Sequence, residues 1–374
     1  MLLSPRNVRD AASNATRKIL RGRLADLRPM PSELIDQGPH RSLYRYRTPG
    51  KVIPTGPPVL LVPPPAASAA TAFDLRRGCS LAEHLVSTGR RTYLLDYGEA
   101  DRRGRDPDLE TWVDEVLPQA VARVAEDVDG QPVQLVGWCL GGILSVLAAA
   151  ARPALPVASI TSIAAPVDFD AVRPGGSLSG LARLAGGFAG GGESGLLSAF
   201  GGIPRPRAGN EYKISEIDRY LTRPVMMLAN LDDADFLAQI EAVDAFTEEM
   251  LASPGRTVAQ AYDRFFREDE LACGEARVGD RRVSLSEVKA PVLVIAGRDD
   301  GLAPWRSVHP LTRLLPGSPD VRFATAPGGH LGVLTGRKAR TTTWARLDAW
   351  LAEGSVRHGL RAARPQRERQ LSRS

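Results

Sequence analysis

Short apolar runs alternate with helical stretches along most of the 374-residue chain, and this alternation is the feature that most constrains its fold. The segments between the runs have the apolar spacing or composition of helices, as in residues 109–128 and 140–151. Hydrophobic residues make up 43% of the chain, enough for a large core. Strands alternating with helices predict an α/β fold, with a mostly parallel sheet covered by helices on both faces. The predicted strands span residues 59–62, 92–96, 133–136, 157–163, 292–295 and 321–323.

The net charge of +5 is concentrated at the end of the chain. Residues 354–374 contain six arginines and one acidic residue, so the rest of the chain is close to neutral. We predict a basic, disordered tail over residues 353–374, with electrostatic attachment to an anionic surface as the alternative. The tail lacks interleaved aromatic residues, so we expect no specific nucleic-acid binding.

The chain shows no pattern typical of export or membrane insertion. Its first residues lack the apolar segment of a signal peptide, and no apolar stretch approaches the roughly 20 residues that span a bilayer. Three cysteines are too few for a disulfide scaffold, which favours a reducing compartment. We therefore expect a cytoplasmic protein without a transmembrane segment.

The alternation of strands and helices fails in the middle of the chain. Residues 173–202 contain eleven glycines, and helical stretches follow at 235–251 and 257–266. A flexible surface insertion is one interpretation; a cap over a site is favoured, because the insertion follows the carboxyl end of a strand. The predicted organisation is an N-terminal helical segment (1–40), a core in two parts (41–165 and 289–352), a helical cap insertion (166–288) and the tail (353–374).

The motif Gly137-Trp138-Cys139-Leu140-Gly141-Gly142 lies directly between a predicted strand and an apolar helix. It matches the nucleophile elbow G-x-S-x-G with cysteine in place of serine. Glycines flanking the turn allow strand and helix to approach, and leave the sulfur of Cys139 exposed above the sheet. The helix N-terminus favours a thiolate. A buried structural cysteine is the alternative interpretation of the motif alone.

A nucleophile in this position requires an acid and a histidine further along the chain. Asp300 follows the strand at 292–295, with Asp299 as the reserve candidate, and His330 follows the strand at 321–323. We predict a triad in which His330 takes the thiol proton of Cys139 and Asp300 orients the imidazole. The other four histidines have contexts typical of structural or surface residues: His40, His84, His309 and His358.

Two backbone N–H groups are candidates for stabilising an oxyanion beside the sulfur. The first is that of Leu140, directly after the nucleophile. The second should come from the loop after the strand at 59–62; since proline has no N–H, the loop's three prolines cannot donate, which leaves Ala66 or Ala67. No clustered spacing of metal ligands is present, so we predict no metal site.

With these residues in place, the chain resembles the polyhydroxyalkanoate synthases, acyltransferases of the α/β-hydrolase fold, and looks closest to the short forms. The resemblance covers most of residues 40–350. Its most specific part is the cysteine elbow followed by Gly297-Arg298-Asp299-Asp300 and Pro304-Trp305. Other matching stretches are Val62-Pro63-Pro64, Phe73-Asp74-Leu75 and Gly329-His330.

The resemblance implies an α/β-hydrolase core with a cap, and Cys139, Asp300 and His330 as the triad. It implies (R)-3-hydroxyacyl-CoA as substrate, with no cofactor, and a growing polyester chain as acceptor. It also implies action at a polyester granule surface, and a protein partner that is a second copy or a second synthase subunit. We expect CoA release with extension of the polyester.

Two departures from the family pattern keep other functions open. Pro65-Ala66-Ala67-Ser68 replaces a hydrophobic–Asn–Lys stretch, and Gly301 stands where a histidine usually follows the acid. They favour, as the alternative, a hydrolase acting on thioesters or esters through the same triad. A granule-associated protein without catalysis is the third hypothesis.

Overall fold

A computed structural model describes residues 4–50, 52–66, 68–98, 107–172, 226–249 and 255–357. Its centre is an eight-stranded sheet in the order β1-β2-β4-β3-β5-β6-β9-β10, in which β2 runs antiparallel to both neighbours and the strands from β4 to β10 are parallel. The strands are β1 (Ser32–Gly38), β2 (Arg41–Tyr46), β3 (Val59–Val62), β4 (Thr92–Asp96), β5 (Val133–Trp138), β6 (Val157–Ile163), β9 (Val292–Gly297) and β10 (Val321–Ala326).

Helices connect the strands and cover the sheet. A π-helical turn, Thr111–Val116, leads into α3. Short 3-10 turns join several of the elements, including Ala69–Asp74 and His309–Arg313. The described helices are α1 (Pro5–Arg21), α2 (Leu81–Ser87), α3 (Leu117–Glu126), α4 (Leu140–Ala151), α5 (Ala234–Glu249), α6 (Gly255–Ala261), α7 (Trp305–Val308), α8 (Gly332–Thr335) and α9 (Thr343–Arg357).

The core forms because the central strands are buried on both faces. All residues of β3, β5 and β9 are buried, as expected of parallel strands between helical layers. Helix α4 follows β5 and is apolar around its circumference, so it lies inside the protein rather than on its surface. The predicted α/β fold is confirmed, and the central strands begin at or next to the predicted positions.

Two features of the structure differ from the sequence prediction. Residues 1–40, assigned to an N-terminal helical segment, contain α1 and also the edge strand β1, which pairs with β2. A two-stranded hairpin of β7 (Glu275–Val278) and β8 (Arg281–Ser284) lies within the stretch assigned to a helical cap. The glycine-rich residues 173–202 and most of the tail predicted for 353–374 lie outside the described residues.

None of the described helices is long and apolar enough to cross a bilayer.

Candidate active site

Cys139 lies at a sharp corner between β5 and α4, in the centre of the sheet. Its backbone has φ 55° and ψ −129°, a region that non-glycine residues rarely occupy. The backbone N–H of Cys139 donates to the carbonyl oxygen of Ile163 on β6, at 2.9 Å, which fixes the corner against the neighbouring strand. The corner therefore has the strained geometry of a nucleophile elbow, and the sulfur is half-buried.

The glycines of the motif are required by close backbone packing. An added Cβ at Gly141 would lie 2.2 Å from the carbonyl oxygen of Val62, and one at Gly137 would lie 2.6 Å from that of Gly141. Both distances are far inside normal contact. The start of α4 can therefore approach β3 and β5 only because these two positions carry no side chain.

We expect Gly141→Ala to lower the free energy of unfolding by about 2–4 kcal/mol, because the clash with β3 involves backbone that cannot rotate away. Gly332→Ala in α8 is the matched control: its Cβ would have no atom within 4 Å, and it should change stability by less than about 1 kcal/mol. Urea unfolding followed by circular dichroism measures both. Equal effects of the two substitutions would contradict this account of the elbow.

Asp300 and His330 are brought together by the loops after β9 and β10. The Asp300 Oδ2 and His330 Nδ1 atoms are 2.9 Å apart, and each residue is 5% exposed. The other carboxylate oxygen of Asp300 accepts hydrogen bonds from the backbone N–H groups of Leu302 and Ala303, at 2.9 and 2.8 Å. Because these bonds hold Oδ1, Oδ2 is directed at the imidazole.

Asp299, the reserve candidate, has a different position. It is exposed, and its carboxylate accepts a hydrogen bond from the backbone N–H of Gly328 at 3.1 Å. Its own N–H donates to the carbonyl oxygen of Gly328. Asp299 thus links the two loops, whereas Asp300 contacts His330.

Cys139 also lies close enough to His330 to influence the pKa of its imidazole. Burial opposes the charged form of His330, yet the charges of Asp300 and Cys139, together with the hydrogen bond to Asp300, raise its pKa well above the ordinary value. The arrangement therefore favours a proton on His330 whenever the sulfur is a thiolate. The three residues predicted from the sequence lie side by side; their catalytic roles stay a prediction.

Trp138 contacts His330 from the elbow, and the sequence analysis assigned it no role. Its indole N–H donates to the backbone carbonyl oxygen of His330 at 3.1 Å, and the two rings are tilted at 40° with centroids 5.2 Å apart. Trp138 is 2% exposed. Its position between the two glycines of the motif gave no signal for this contact, which joins residues 192 positions apart.

An apolar cavity of about 270 Å³ opens onto Cys139 and His330. Its other lining residues are aliphatic, aromatic or proline, and they come from the core and from both the start and the second half of the insertion. They are Pro64, Leu140, Ile143, Pro166, Phe169, Val258, Ala261, Tyr262, Phe265, Phe266, Leu302 and Ala303. A pocket of this composition accommodates an apolar group next to the sulfur.

The aromatic wall of this cavity is tied to the core by Glu110. The wall consists of the π-helical turn Tyr262–Arg267, in which Tyr262 and Phe266 stack with centroids 5.2 Å apart. Arg264 of the same turn forms an ion pair with Glu110, at 2.6 Å. Burial opposes the charge of Glu110, but hydrogen bonds from Arg264, Gly279 and Gln260 lower its pKa to about 2. Glu110 is therefore ionised at neutral pH and holds the wall in place.

The two predicted oxyanion donors have different outcomes. Leu140 is the first residue of α4, where a backbone N–H has no partner within the helix, so it stays a candidate. The N–H of Ala66 donates to the carbonyl oxygen of Pro64 at 2.7 Å, so in this structure it does not serve the site. The reason is a tight turn formed by Pro64, Pro65 and Ala66. Ala67, the other candidate, lies outside the described residues.

The remaining cysteines are placed away from this arrangement. Cys79 is buried and contacts the carbonyl oxygen of Thr335, while Cys273 is exposed. Over the described parts of the chain, no group of three or more His, Cys, Asp or Glu side chains could hold a metal ion.

A mostly parallel sheet with a nucleophile elbow after β5, followed in chain order by an acid and a histidine after later strands, defines the enzymes of the α/β-hydrolase fold. Solved structures of such enzymes resemble the chain; one is a meta-cleavage product hydrolase from Pseudomonas fluorescens. It is 16% identical with a TM-score of 0.47, and the match covers 86% of this chain and 97% of that one. No protein-family model matches the chain.

Curated relatives point to one group within this fold. The chain is 27% identical over 332 residues to the poly(3-hydroxyalkanoate) polymerase subunit PhaC of Synechocystis, covering 86% of this chain and 84% of the relative. It is 24% identical over 284 residues to the protein of the same name from Haloferax mediterranei, covering 76% of this chain but only 56% of that relative. Eight curated proteins match, all named as poly(3-hydroxyalkanoate) polymerases or their PhaC subunit. The predicted resemblance to the polyhydroxyalkanoate synthases is confirmed.

Proposed function

We propose that the protein is an acyltransferase of the polyhydroxyalkanoate synthase type, which transfers the acyl group of (R)-3-hydroxyacyl-CoA to Cys139 and then to a polyester chain. The observation that carries the proposal is a cysteine, rather than a serine, at an elbow that lines the same apolar cavity as a His–Asp pair. A thioester donor and a cysteine acceptor are chemically matched. Transfer between them exchanges one thioester for another at little change in free energy.

The first half of the reaction forms the acyl-enzyme. The thiol proton of Cys139 passes to His330, and the thiolate attacks the carbonyl carbon of the acyl-CoA. The backbone N–H of Leu140 stabilises the oxyanion that forms. As the intermediate collapses, the carbon–sulfur bond to CoA breaks, and the proton on His330 passes to the departing CoA thiolate. The acyl group is then held as a thioester on Cys139.

The second half transfers this acyl group to a hydroxyl. The terminal hydroxyl of a polyester chain gives its proton to His330 and attacks the thioester carbonyl. An ester bond forms, the bond to Cys139 breaks, and the thiolate recovers a proton from His330. Water in the same position would give hydrolysis instead, and the apolar lining of the cavity disfavours it.

Asp300 assists both half-reactions through its contact with His330. Its hydrogen bond to Nδ1 leaves the other ring nitrogen of neutral His330 as the proton acceptor. Its charge stabilises the imidazolium that forms during each step.

Intact-protein mass spectrometry after exposure to (R)-3-hydroxybutyryl-CoA tests the proposal. We expect a series of masses that increase by one hydroxyacyl unit, with release of one CoA per unit. The series should be absent from Cys139→Ala. Release of neither CoA nor polymer, alone and with a second synthase subunit added, would reject the proposal.

A thioesterase or esterase with the same triad is the second candidate. The loop Pro65-Ala66-Ala67-Ser68 and Gly301 beside the acid favour it, because both differ from the family pattern at the edge of the site. In the same experiment, a hydrolase would accumulate free 3-hydroxy acid and show at most one acyl adduct. The two functions are therefore separated by the product rather than by the triad.

Further parts of the proposal concern partners and place of action. We propose that the protein acts in the cytoplasm at a polyester granule surface, with a second copy or a second synthase subunit as partner. The similarity to relatives named as polymerase subunits supports this. A granule-associated protein without catalysis is the remaining alternative, and rapid alkylation of Cys139 would count against it.

A further inference from the structure

Helix α1 buries a polar residue and exposes apolar ones, the opposite of an ordinary surface helix. A helix on a globular protein usually buries its apolar face and exposes its polar one. In α1 the one buried residue is Asn14, whereas Val8, Ile19 and Leu20 are 50%, 83% and 78% exposed. The helix is well formed, with Ser4 capping its first turn through a hydrogen bond from the N–H of Asn7. The exposed apolar face is thus a property of a regular helix.

Polar contacts hold α1 and the following residues against α5 and the turn that precedes it. The side chain of Asn14 donates to the carbonyl oxygen of Leu231 at 2.9 Å, and Lys18 forms an ion pair with Glu241 at 3.0 Å. The same carboxylate accepts hydrogen bonds from the N–H groups of Leu24 and Ala25. These contacts fix which side of the helix faces the protein and leave the apolar side directed outward.

The outward side forms one continuous stripe. Val8, Ala12, Ala15 and Ile19 follow one another at helical spacing, all four are exposed, and Leu20 extends the stripe at its end. Four other positions of α1 carry exposed arginines: Arg6, Arg9, Arg17 and Arg21. The only acidic residue of the helix is Asp10.

An aliphatic stripe on a strongly basic helix matches an anionic lipid surface. The stripe can enter the boundary between headgroups and acyl chains, while the long arginine side chains reach the anionic headgroups. A second copy of the chain fits less well, because pairing through this stripe would bring two sets of arginines together. We propose that α1 is an interfacial helix that binds the protein to anionic lipid surfaces, independently of its catalytic function.

Co-sedimentation with lipid vesicles tests this with the full chain. We expect binding to equimolar phosphatidylcholine–phosphatidylglycerol vesicles and little binding to pure phosphatidylcholine. Binding should weaken in about 1 M salt, where the screening length falls to about 3 Å. The double variant Ile19→Ser/Leu20→Ser should lower the partition coefficient at least about tenfold, and Arg9→Gln/Arg17→Gln should lower it by a similar factor.

Ile53→Ser is the matched control, since Ile53 is also 83% exposed but lies outside the helix. It should leave binding unchanged, and the arginine-rich residues 354–374 are present in every variant. Equal binding to both kinds of vesicle, no binding at all, or an equal loss in Ile53→Ser would overturn the proposal. A dimer that dissociates in Ile19→Ser/Leu20→Ser, without vesicle binding, would assign the stripe to a second copy instead.

Discussion

Cys139→Ala should reduce the rate of CoA release from (R)-3-hydroxyacyl-CoA by about 10⁴-fold or more, because it removes the atom proposed to form the acyl-enzyme. The fold should be retained, since the side chain is small and half-buried at the mouth of the cavity. Initial rates of thiol release, measured with a chromogenic thiol reagent, give the effect. Thermal unfolding of the same samples shows whether the variant is folded.

The control for this substitution is Cys273→Ala, at an exposed cysteine away from the cavity. Its rate of CoA release should stay within about twofold of the wild type, as for surface substitutions in general. Alkylation by iodoacetamide adds an independent measurement: Cys139 should react faster than Cys273 at neutral pH, despite its lower exposure. CoA release that persists in Cys139→Ala would place the nucleophile elsewhere.

Asp300→Asn should lower kcat by about 10³–10⁴-fold while leaving the fold intact. The amide oxygen can keep the hydrogen bonds from Leu302 and Ala303, which turns the amide nitrogen toward His330. That nitrogen donates, so the Nδ1 atom must accept and the proton moves to the nitrogen that faces Cys139. The imidazole is then held in the tautomer that cannot take the thiol proton.

Asp299→Asn is the matched control, one residue earlier on the same loop. Asp299 is exposed and contacts Gly328 rather than His330, so its kcat should change by no more than a few-fold. Comparable losses of kcat in the two variants would show that kcat depends on the structure of the loop rather than on the contact between Asp300 and His330.

The pH dependence of stability provides a second measurement on Asp300→Asn. Asp300 and Cys139 raise the pKa of His330, so its charged form is stabilised in the folded state. This stabilisation is fully present below the ordinary histidine pKa of about 6.5 and is lost as the pH rises through the raised pKa. The difference in melting temperature between wild type and Asp300→Asn should therefore be largest in mildly acidic buffer and decrease in alkaline buffer.

The sequence predicted the parts of this molecule that depend on local patterns. The buried strands β3 and β9 are continuous apolar runs, and the elbow is a short motif between a strand and a helix. Chain order then placed an acid and a histidine at the same end of a parallel sheet. These features are fixed by periodicity and by the geometry of parallel strands.

The parts that the sequence did not predict depend on contacts between distant residues or on side-chain exposure. Strand β1 is half exposed and lies at the sheet edge, so it has no apolar run to mark it. The turn that engages the N–H of Ala66 depends on the conformation of one loop. The contact between Trp138 and His330, and the ion pair of Glu110 with Arg264, join residues more than 150 positions apart.

Cys139 and His330 occupy different kinds of position in the sheet. Cys139 follows the central strand β5, which has a neighbour on each side, whereas the loop of His330 leaves β10, the last strand, which pairs only with β9. Edge strands open locally at a lower free energy than strands in the middle of a sheet. Local unfolding of the edge strand β10 would carry the imidazole of His330 away from the sulfur of Cys139 while the rest of the molecule stays folded. The proposed chemistry is therefore more easily lost than the architecture that supports it.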